Sequence, residues 1–180
     1  MYCEKNGKDP GSIMKISRRI MVTGAALGLA GCATSRGAKF KTYDGPKVTR
    51  IQVLKSKRIM QLFHNKTLLK QYDVELGFSP VGHKEIEGDG RTPEGAYLIN
   101  RTNPNSRYHL SLGISYPDRR DYNKARAMGK SPGGEIFIHG TPKNYIGETD
   151  WTWGCIAVTD EEMEDIYAMV EVGTVIYLYP

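Results

Sequence analysis

His139 and Cys155 are the residues of this sequence whose types and spacing could support nucleophilic catalysis. His139 ends the β-rich run 135–139, and Cys155 opens a second apolar run that continues to residue 158. If the two runs form adjacent strands, the two side chains come within hydrogen-bond reach. An imidazole placed in this way can take the proton of the thiol, and the resulting thiolate can attack a carbonyl carbon.

Gly154, which precedes the cysteine, lets a substrate carbonyl approach the backbone closely. The amides of Gly154 and Cys155 are therefore candidates for an oxyanion hole. A zinc site is a weaker interpretation, because Cys155 and His139 have no second close Cys/His pair beside them. We expect neither a metal nor a cofactor. On spacing alone a solitary cysteine and histidine are more often inert than catalytic, so both interpretations stay open at this point.

The composition predicts a single, mainly β domain to carry these residues. The chain has 180 residues, of which 39% are hydrophobic and 25% charged, which argues against a disordered chain or a multi-span membrane protein. Its 20 glycines and 11 tyrosines suit a turn-rich β protein. The formal charge is +5, but residues 1–32 hold five basic and two acidic residues, which leaves +2 for the rest. The basic character is thus a poor argument for nucleic-acid binding.

The N-terminal segment has the pattern of an export signal. Basic residues precede the apolar stretch 20–30, which is too short to span a bilayer but suits the core of a signal peptide. The stretch ends in Leu29-Ala30-Gly31-Cys32, which resembles a bacterial lipobox. We predict a leader and lipoprotein signal peptide at 1–32 with lipidation of Cys32, a tether at 33–48, and a catalytic domain at 49–180. The protein would be exported to the periplasm or cell envelope and held at a membrane by the lipid. Cys155, then the only thiol left besides the lipidated one, must pair with another chain, lie buried or react.

The element pattern predicts a sheet with two helices. Thr159 followed by Glu162 forms a capping box, and Met163, Ile166 and Val170 lie on one apolar helix face. The first three strands have close turns and predict an antiparallel meander. The predicted strands are 50–55, 58–63, 68–74, 96–100, 108–112, 135–139, a strand that begins at Cys155, and 174–179, and the first helix is predicted at 118–128.

Three ordered motifs resemble one enzyme family, the YkuD-type L,D-transpeptidase catalytic domain. They are Gly90-Arg91-Thr92-Pro93-Glu94-Gly95, Ile138-His139-Gly140 and Thr152-Trp153-Gly154-Cys155, and the similarity extends over about residues 49–180. The resemblance implies a single β-sandwich-like catalytic domain with one or two short helices.

The resemblance also implies a role for each motif residue. Cys155 would be the nucleophile, and His139 the general base and later acid. The backbone carbonyl of Gly140 would orient the imidazole, while Thr152 and Gly154 would shape the nucleophile turn. The thiolate would form a thioester with a peptidoglycan stem tetrapeptide at its diamino acid and release D-alanine. An amine from another stem, a D-amino acid or a lipoprotein would then resolve the thioester.

Two departures from the family pattern support an alternative. Trp153 stands where many members carry histidine, and Ala157 stands where many carry arginine or asparagine. The missing polar groups could favour water over an amine as acceptor. The alternative is a thiol hydrolase, meaning an L,D-carboxypeptidase or amidase acting on peptidoglycan or on peptidoglycan-linked lipoprotein. A non-catalytic wall-binding lipoprotein is a third hypothesis.

Four further residues are candidates for substrate binding. Asp150 could meet a substrate amine, or it could cap a turn. Trp151 and Trp153 could form a substrate wall or belong to the core. His83 could line the cleft or lie on the surface of a Gly-rich loop.

Overall fold

The structure is a computed structural model that describes residues 39–180. Within this range it contains eight strands and two α-helices, together with short 3-10 turns at Lys55–Lys57 and Lys143–Tyr145. The strands are β1 (Arg50–Leu54), β2 (Ile59–His64), β3 (Thr67–Asp73), β4 (Gly95–Asn103), β5 (Ser111–Ile114), β6 (Phe137–His139), β7 (Ile156–Ala157) and β8 (Val175–Tyr179). The helices are α1 (Arg119–Ala127) and α2 (Asp160–Met169).

All eight strands belong to one curled sheet in the order β3-β2-β1-β8-β4-β5-β6-β7. The pairs β1–β8 and β6–β7 are parallel, and the other neighbouring pairs are antiparallel. The segment after β3 returns to the far edge, where Glu75 bridges to Ala157 and Gly77 bridges to Thr152. The two edges of the sheet are thereby brought together beside β7. The mainly β fold expected from the sequence is confirmed.

The first three strands form the expected antiparallel meander. Ile51 and Val53 are fully buried and pair with Leu62 and Met60, which are also fully buried. Their sequence neighbours on the strands point to the other, more exposed face. This alternation is the period of two that a sheet with one buried face requires. The turn between β1 and β2 is completed by Arg58 in the left-handed region, at φ 54°.

Helix α2 begins and packs as its sequence predicts. The Thr159 side chain accepts a hydrogen bond from the Glu162 amide, and the Glu162 carboxylate accepts one from the Thr159 amide at 2.9 Å. The predicted apolar face is buried, with Met163 and Ile166 fully inaccessible in the core. The helix follows β7 after two residues, so the same cap fixes the exit of the chain from the site.

Two strands begin two or more residues later than the sequence pattern indicates. The strand predicted at 108–112 begins at Ser111, because His109 has φ 70°. The strand predicted at 135–139 begins at Phe137, because Glu135 has φ 56°. A left-handed residue breaks the pleat, so neither position can continue a ladder.

The described part of the predicted tether, residues 39–48, lies against α2. The Lys41 ammonium is 2.7 Å from the Asp165 carboxylate, the Phe40 and Tyr167 rings are 6.3 Å apart, and Val48 is buried. The predicted leader and the lipidation site Cys32 lie outside the described residues. Among residues 39–180, neither helix has the length and apolar character that crossing a membrane requires.

Candidate active site

Strands β6 and β7 bring His139 and Cys155 to the same face of the sheet. The two strands are parallel, with Ile138 opposite Ile156 and His139 opposite Ala157. Side chains alternate along a strand, and the two isoleucines enter the hydrophobic core. His139 and Cys155 therefore project to the opposite face, where they are diagonal neighbours. Side chains on such diagonals are within reach of one another.

The His139 ring is held in one orientation by its own backbone. Its Nδ1 lies 2.7 Å from the carbonyl oxygen of Gly140, and the side chain is buried. Because a carbonyl only accepts, Nδ1 carries the hydrogen, and Nε2 of the neutral ring is left as the acceptor. Position 140 must be glycine here, since a Cβ would lie 2.2 Å from Asp160 Oδ1 and 2.9 Å from the Tyr108 carbonyl oxygen.

A tight turn delivers Cys155 to this face. The buried Thr152 hydroxyl donates to the Cys155 carbonyl at 2.7 Å and accepts the Gly154 amide at 3.2 Å. Gly154 has φ 118°, and a Cβ there would lie 2.5 Å from the Arg91 carbonyl oxygen. The turn therefore requires glycine both for its backbone angle and for the close approach of the Arg91 segment.

The nucleophile candidate itself is enclosed. Cys155 is fully buried, and its Sγ lies 3.5 Å from the carbonyl oxygen of Glu135. Thiolate chemistry at this position requires a reduced thiol. The Gly154 amide, expected in the oxyanion hole, is engaged by Thr152 and would have to turn from it to reach an oxyanion.

Aromatic rings flank the histidine on two sides. Tyr108 stacks on His139 with ring centroids 4.4 Å apart, and Trp151 approaches the imidazole at 5.6 Å. Tyr145 stacks on the outer side of Trp151 at 4.2 Å. Trp153, in contrast, is 43% exposed and meets the Phe78 ring edge to face at 4.9 Å. Of the two tryptophans, Trp151 is the one that contacts the histidine ring.

A buried lysine fixes the segment that carries the first motif. The Lys55 ammonium donates to the carbonyl oxygens of Gly82 at 2.6 Å and Thr92 at 2.9 Å, and to the Glu94 carboxylate at 2.8 Å. Its side chain is 2% exposed, and burial lowers its pKa while Glu94 acts in the opposite direction. Lys55 thus connects the turn between β1 and β2 to the loop that packs against Gly154. This role of Lys55 is not evident from the sequence.

The loop before that motif is organised by Asp89. Its carboxylate accepts hydrogen bonds from the amides of Glu85, Ile86 and Arg91 and from the Lys84 ammonium at 2.9 Å. Burial alone would raise the pKa of Asp89, but these hydrogen bonds outweigh it and the pKa is lowered. The loop therefore depends on an ionised carboxylate.

Two of the predicted substrate-binding residues are engaged elsewhere in the structure. Asp150 forms a two-point ion pair with Arg58, at 2.8 Å and 2.6 Å, within a left-handed turn at φ 49°. His83 lies 3.1 Å from Asp121 and accepts the Glu94 amide at 3.0 Å. These contacts agree with the alternative interpretations of the sequence, in which Asp150 belongs to a turn and His83 to a loop. Within residues 39–180, no group of three or more His, Cys, Asp or Glu residues is placed to hold a metal ion.

The fold and these motifs define a known class of domain. The family model for the L,D-transpeptidase catalytic domain, YkuD, matches residues 48–178, which is well over half of the chain. The chain belongs to the family of YkuD-type L,D-transpeptidase catalytic domains.

Individual relatives agree with this membership. The chain is 28% identical over 160 residues to the Escherichia coli K12 protein named "Putative L,D-transpeptidase YafK", covering 86% of this chain and 59% of YafK. It resembles the helical cell shape determining protein Pgp2 of Campylobacter jejuni at 25% identity and a TM-score of 0.59, covering 76% of this chain and 48% of Pgp2. An L,D-transpeptidase from Mycobacterium smegmatis, 15% identical, shares the fold with a TM-score of 0.51, over 76% of this chain and 60% of that one. The chain spans about half to three fifths of the lengths of these relatives.

Proposed function

We propose that this protein is a peptidoglycan L,D-transpeptidase in which Cys155 is the nucleophile and His139 the general base. The observation that carries the proposal is the placement of both residues on one face of the β6–β7 pair, with His139 Nδ1 at the Gly140 carbonyl oxygen. This orientation leaves Nε2 as the proton acceptor for a reduced thiol. Family membership supports a stem peptide of peptidoglycan as the substrate.

The first step forms a thioester. Nε2 of His139 takes the proton of the Cys155 thiol, and the thiolate attacks the carbonyl carbon of the diamino acid in the stem tetrapeptide. The C–S bond forms while the carbonyl oxygen becomes an oxyanion. The amide C–N bond then breaks, and the D-alanine amine leaves with the proton held by His139. The buried surroundings strengthen the attraction between the thiolate and the imidazolium.

The second step transfers the acyl group to an amine. The acceptor amine gives a proton to His139 and attacks the thioester carbonyl, so that a C–N bond forms and the C–S bond breaks. Cys155 recovers its proton from the imidazolium. The energy of the new amide comes from the old one, so no nucleotide is consumed. The acceptor would be an amine of another stem, of a D-amino acid or of a lipoprotein.

A thiol hydrolase on the same site is the second candidate, and Ala157 is the observation that favours it. Ala157 lies opposite His139 and offers only a methyl group where many family members carry a polar side chain. Its backbone amide and carbonyl are both bonded to Glu75, so they are not available to a substrate. Without a polar anchor at this position, water competes better with an amine for the thioester.

The cellular setting remains our proposal as well. Family membership supports an exported protein that acts on the cell wall. Lipidation of Cys32 would hold the domain at a membrane, with the tether at 33–48 limiting its reach. Labelling cells with an alkynyl fatty acid tests this: the wild-type protein should carry the label, and the Cys32→Ala variant should not.

The activity test is incubation of the reduced full-length protein with tetrapeptide-bearing muropeptides. A transpeptidase releases D-alanine and yields a crosslinked or D-amino-acid-exchanged product. A hydrolase yields trimmed product in amounts that do not change when D-amino acid is added. Because Cys155 is buried, its alkylation rate in the reduced protein is measured in parallel. No reaction from an alkylatable, folded protein would contradict both enzymatic candidates and favour a non-catalytic wall-binding role.

A further inference from the structure

A groove of about 480 Å³ lies beside the candidate site, between the segment after β3, the loop that joins β6 to β7, and the start of α2. Its apolar floor includes Val74, Ala157 and Val158, and its wall includes the stacked rings of Tyr145 and Trp151. We call it the acidic groove, because its lining includes the carboxylates of Asp73, Glu75, Glu148, Asp160 and Glu162.

The acidic groove adjoins the reacting residues directly. Ala157 belongs to the groove, pairs with His139 across β6–β7, and lies two residues after Cys155. Trp151 also lines the groove, and its ring contacts the His139 ring at 5.6 Å. A peptide whose reacting group lies at Cys155 can therefore continue into the groove without leaving the protein surface.

The charges of the groove are strongly one-sided. Among the described residues that line the groove, Lys143 is the only basic one, against five acidic residues. Glu75 and Glu162 accept hydrogen bonds from the Asp150 and Thr159 amides. Asp73 and Glu148 are exposed, and neither forms an ion pair with another described residue. Two carboxylates at the rim are thus available to a positively charged ligand.

We propose that the acidic groove binds a positively charged peptide segment, rich in lysine or arginine, on the co-substrate that supplies the amine. The inference rests on the proposed function, whose second step needs such a co-substrate. In a donor stem, carboxylates oppose the single ammonium of the diamino acid, whereas each ammonium or guanidinium group of a basic segment can gain an ion pair at the rim. Cations also gain the outer face of the Tyr145 ring, whose inner face stacks on Trp151. The groove therefore selects the amine partner by charge.

Direct binding tests the groove without any reaction. The chain has two tryptophans, so the indole N–H region of a ¹⁵N-labelled, reduced full-length protein contains two signals, which a Trp153→Phe variant assigns. Titration with trilysine amide should shift the Trp151 signal saturably and leave the Trp153 signal in place. N-acetyl-triglutamine amide, which carries no charge, should shift neither signal. Equal shifts with both peptides, or no shift of Trp151, would overturn the inference.

A matched pair of double variants tests the role of charge. Asp73→Asn with Glu148→Gln should weaken the binding of trilysine about three- to ten-fold, as expected for two exposed ion pairs. Asp44→Asn with Glu171→Gln removes the same charge from exposed positions outside the groove and should leave the affinity within about two-fold. An equal loss of trilysine affinity in both double variants would show a non-specific electrostatic attraction and would contradict binding in the acidic groove.

The donor reaction separates this inference from the proposed function. The groove double variant should release D-alanine from a tetrapeptide at the wild-type rate, but its KM for a lysine-containing acceptor should rise by the same factor as the Kd for trilysine. If the wild-type protein binds trilysine but forms no thioester, the proposed function fails, and the groove stands only as a binding site for a cationic peptide. If D-alanine is released but the KM is unchanged in the groove variant, the groove inference fails and the function stands.

Discussion

Two regions of this sheet differ in strand length, burial pattern and backbone conformation. In the meander half, made of β1, β2, β3 and β8, buried apolar residues alternate with more exposed ones along β1, β2 and β8, and ladders of five or six residue pairs join the strands. The site half, made of β6, β7 and the loops at 77–95 and 140–155, has short strands, glycines at positive φ, and buried polar groups. Buried apolar pairs such as Ile51–Leu62 and Val53–Met60 hold the first region together. Chemistry depends on the backbone shape of the second.

A core truncation and a nucleophile truncation should separate the two halves most sharply. Met60→Ala removes a fully buried side chain from the meander half and should lower the free energy of unfolding by about 2–5 kcal/mol. The activity of the molecules that remain folded should be unchanged. Cys155→Ala should lower D-alanine release by about 10⁴-fold or more with a much smaller effect on stability. Urea unfolding and D-alanine assays measure the two effects, and a Met60→Ala protein that is folded but inactive would contradict the separation.

Lys55→Met tests the link between the halves. The change keeps the length of the side chain but leaves the Glu94 carboxylate and two carbonyl oxygens without their shared donor. We expect a loss of about 3 kcal/mol in unfolding free energy. Lys57→Met, an exposed neighbour in the same turn, is the control and should change stability little. Equal melting temperatures for both variants would show that the buried ammonium does not hold the loop.

Gly154→Ala tests the backbone requirement of the site half. Its added Cβ would lie 2.5 Å from the Arg91 carbonyl oxygen at a backbone φ of 118°. We expect a destabilisation of about 1–3 kcal/mol and a large loss of acylation. Gly88→Ala is the matched control, because Gly88 also has a positive φ but no atom within 4 Å of its Cβ position. If the two variants react at the same rate, the close approach at Gly154 has no catalytic importance.

The smallest effect should come from Asp89 and should depend on pH. Its pKa in the folded protein is lowered below the ordinary value of 3.8, because the hydrogen bonds it accepts outweigh its burial. Its contribution to stability is therefore complete above pH 3.8 and is lost as the pH falls through the lowered pKa. Asp89→Asn should flatten this acidic part of the stability curve.

The control for that experiment is Asp44→Asn, which removes an exposed carboxylate. Unfolding free energies measured from neutral pH down into the acidic range should fall less steeply for Asp89→Asn than for Asp44→Asn. Parallel curves for the two variants would mean that Asp89 does not organise its loop through its charge.

Sequence reasoning succeeded where the determinants are local. The Thr159 capping box and the alternation at Ile51 and Val53 use neighbours a few residues apart, and the structure confirms both. The juxtaposition of His139 and Cys155 stays a prediction, which rests on the end of one apolar run at His139 and the start of the next at Cys155. The strand at β5 was placed too early, because no local pattern marks the left-handed conformation of His109.

The missed residues depend on distant partners. From the sequence, Lys55 is expected to be a lysine in a turn. Its ammonium instead donates hydrogen bonds to groups 27 to 39 residues further along the chain. Tyr145 lies in an irregular loop, and its role as an outer wall of Trp151 arises only when that loop folds back over β7. These residues become neighbours when the sheet edges close beside β7. A short stretch of sequence does not reveal this closure.

The most direct measurement of the central claim is the intact mass of the reduced protein after exposure to a tetrapeptide donor. The account predicts a covalent adduct of the tripeptide acyl group on Cys155, with one D-alanine released per adduct. The adduct should be absent from Cys155→Ala and should form far more slowly in His139→Gln. A reduced, folded protein that acquires no adduct, or a Cys155→Ala protein that still acquires one, would contradict it.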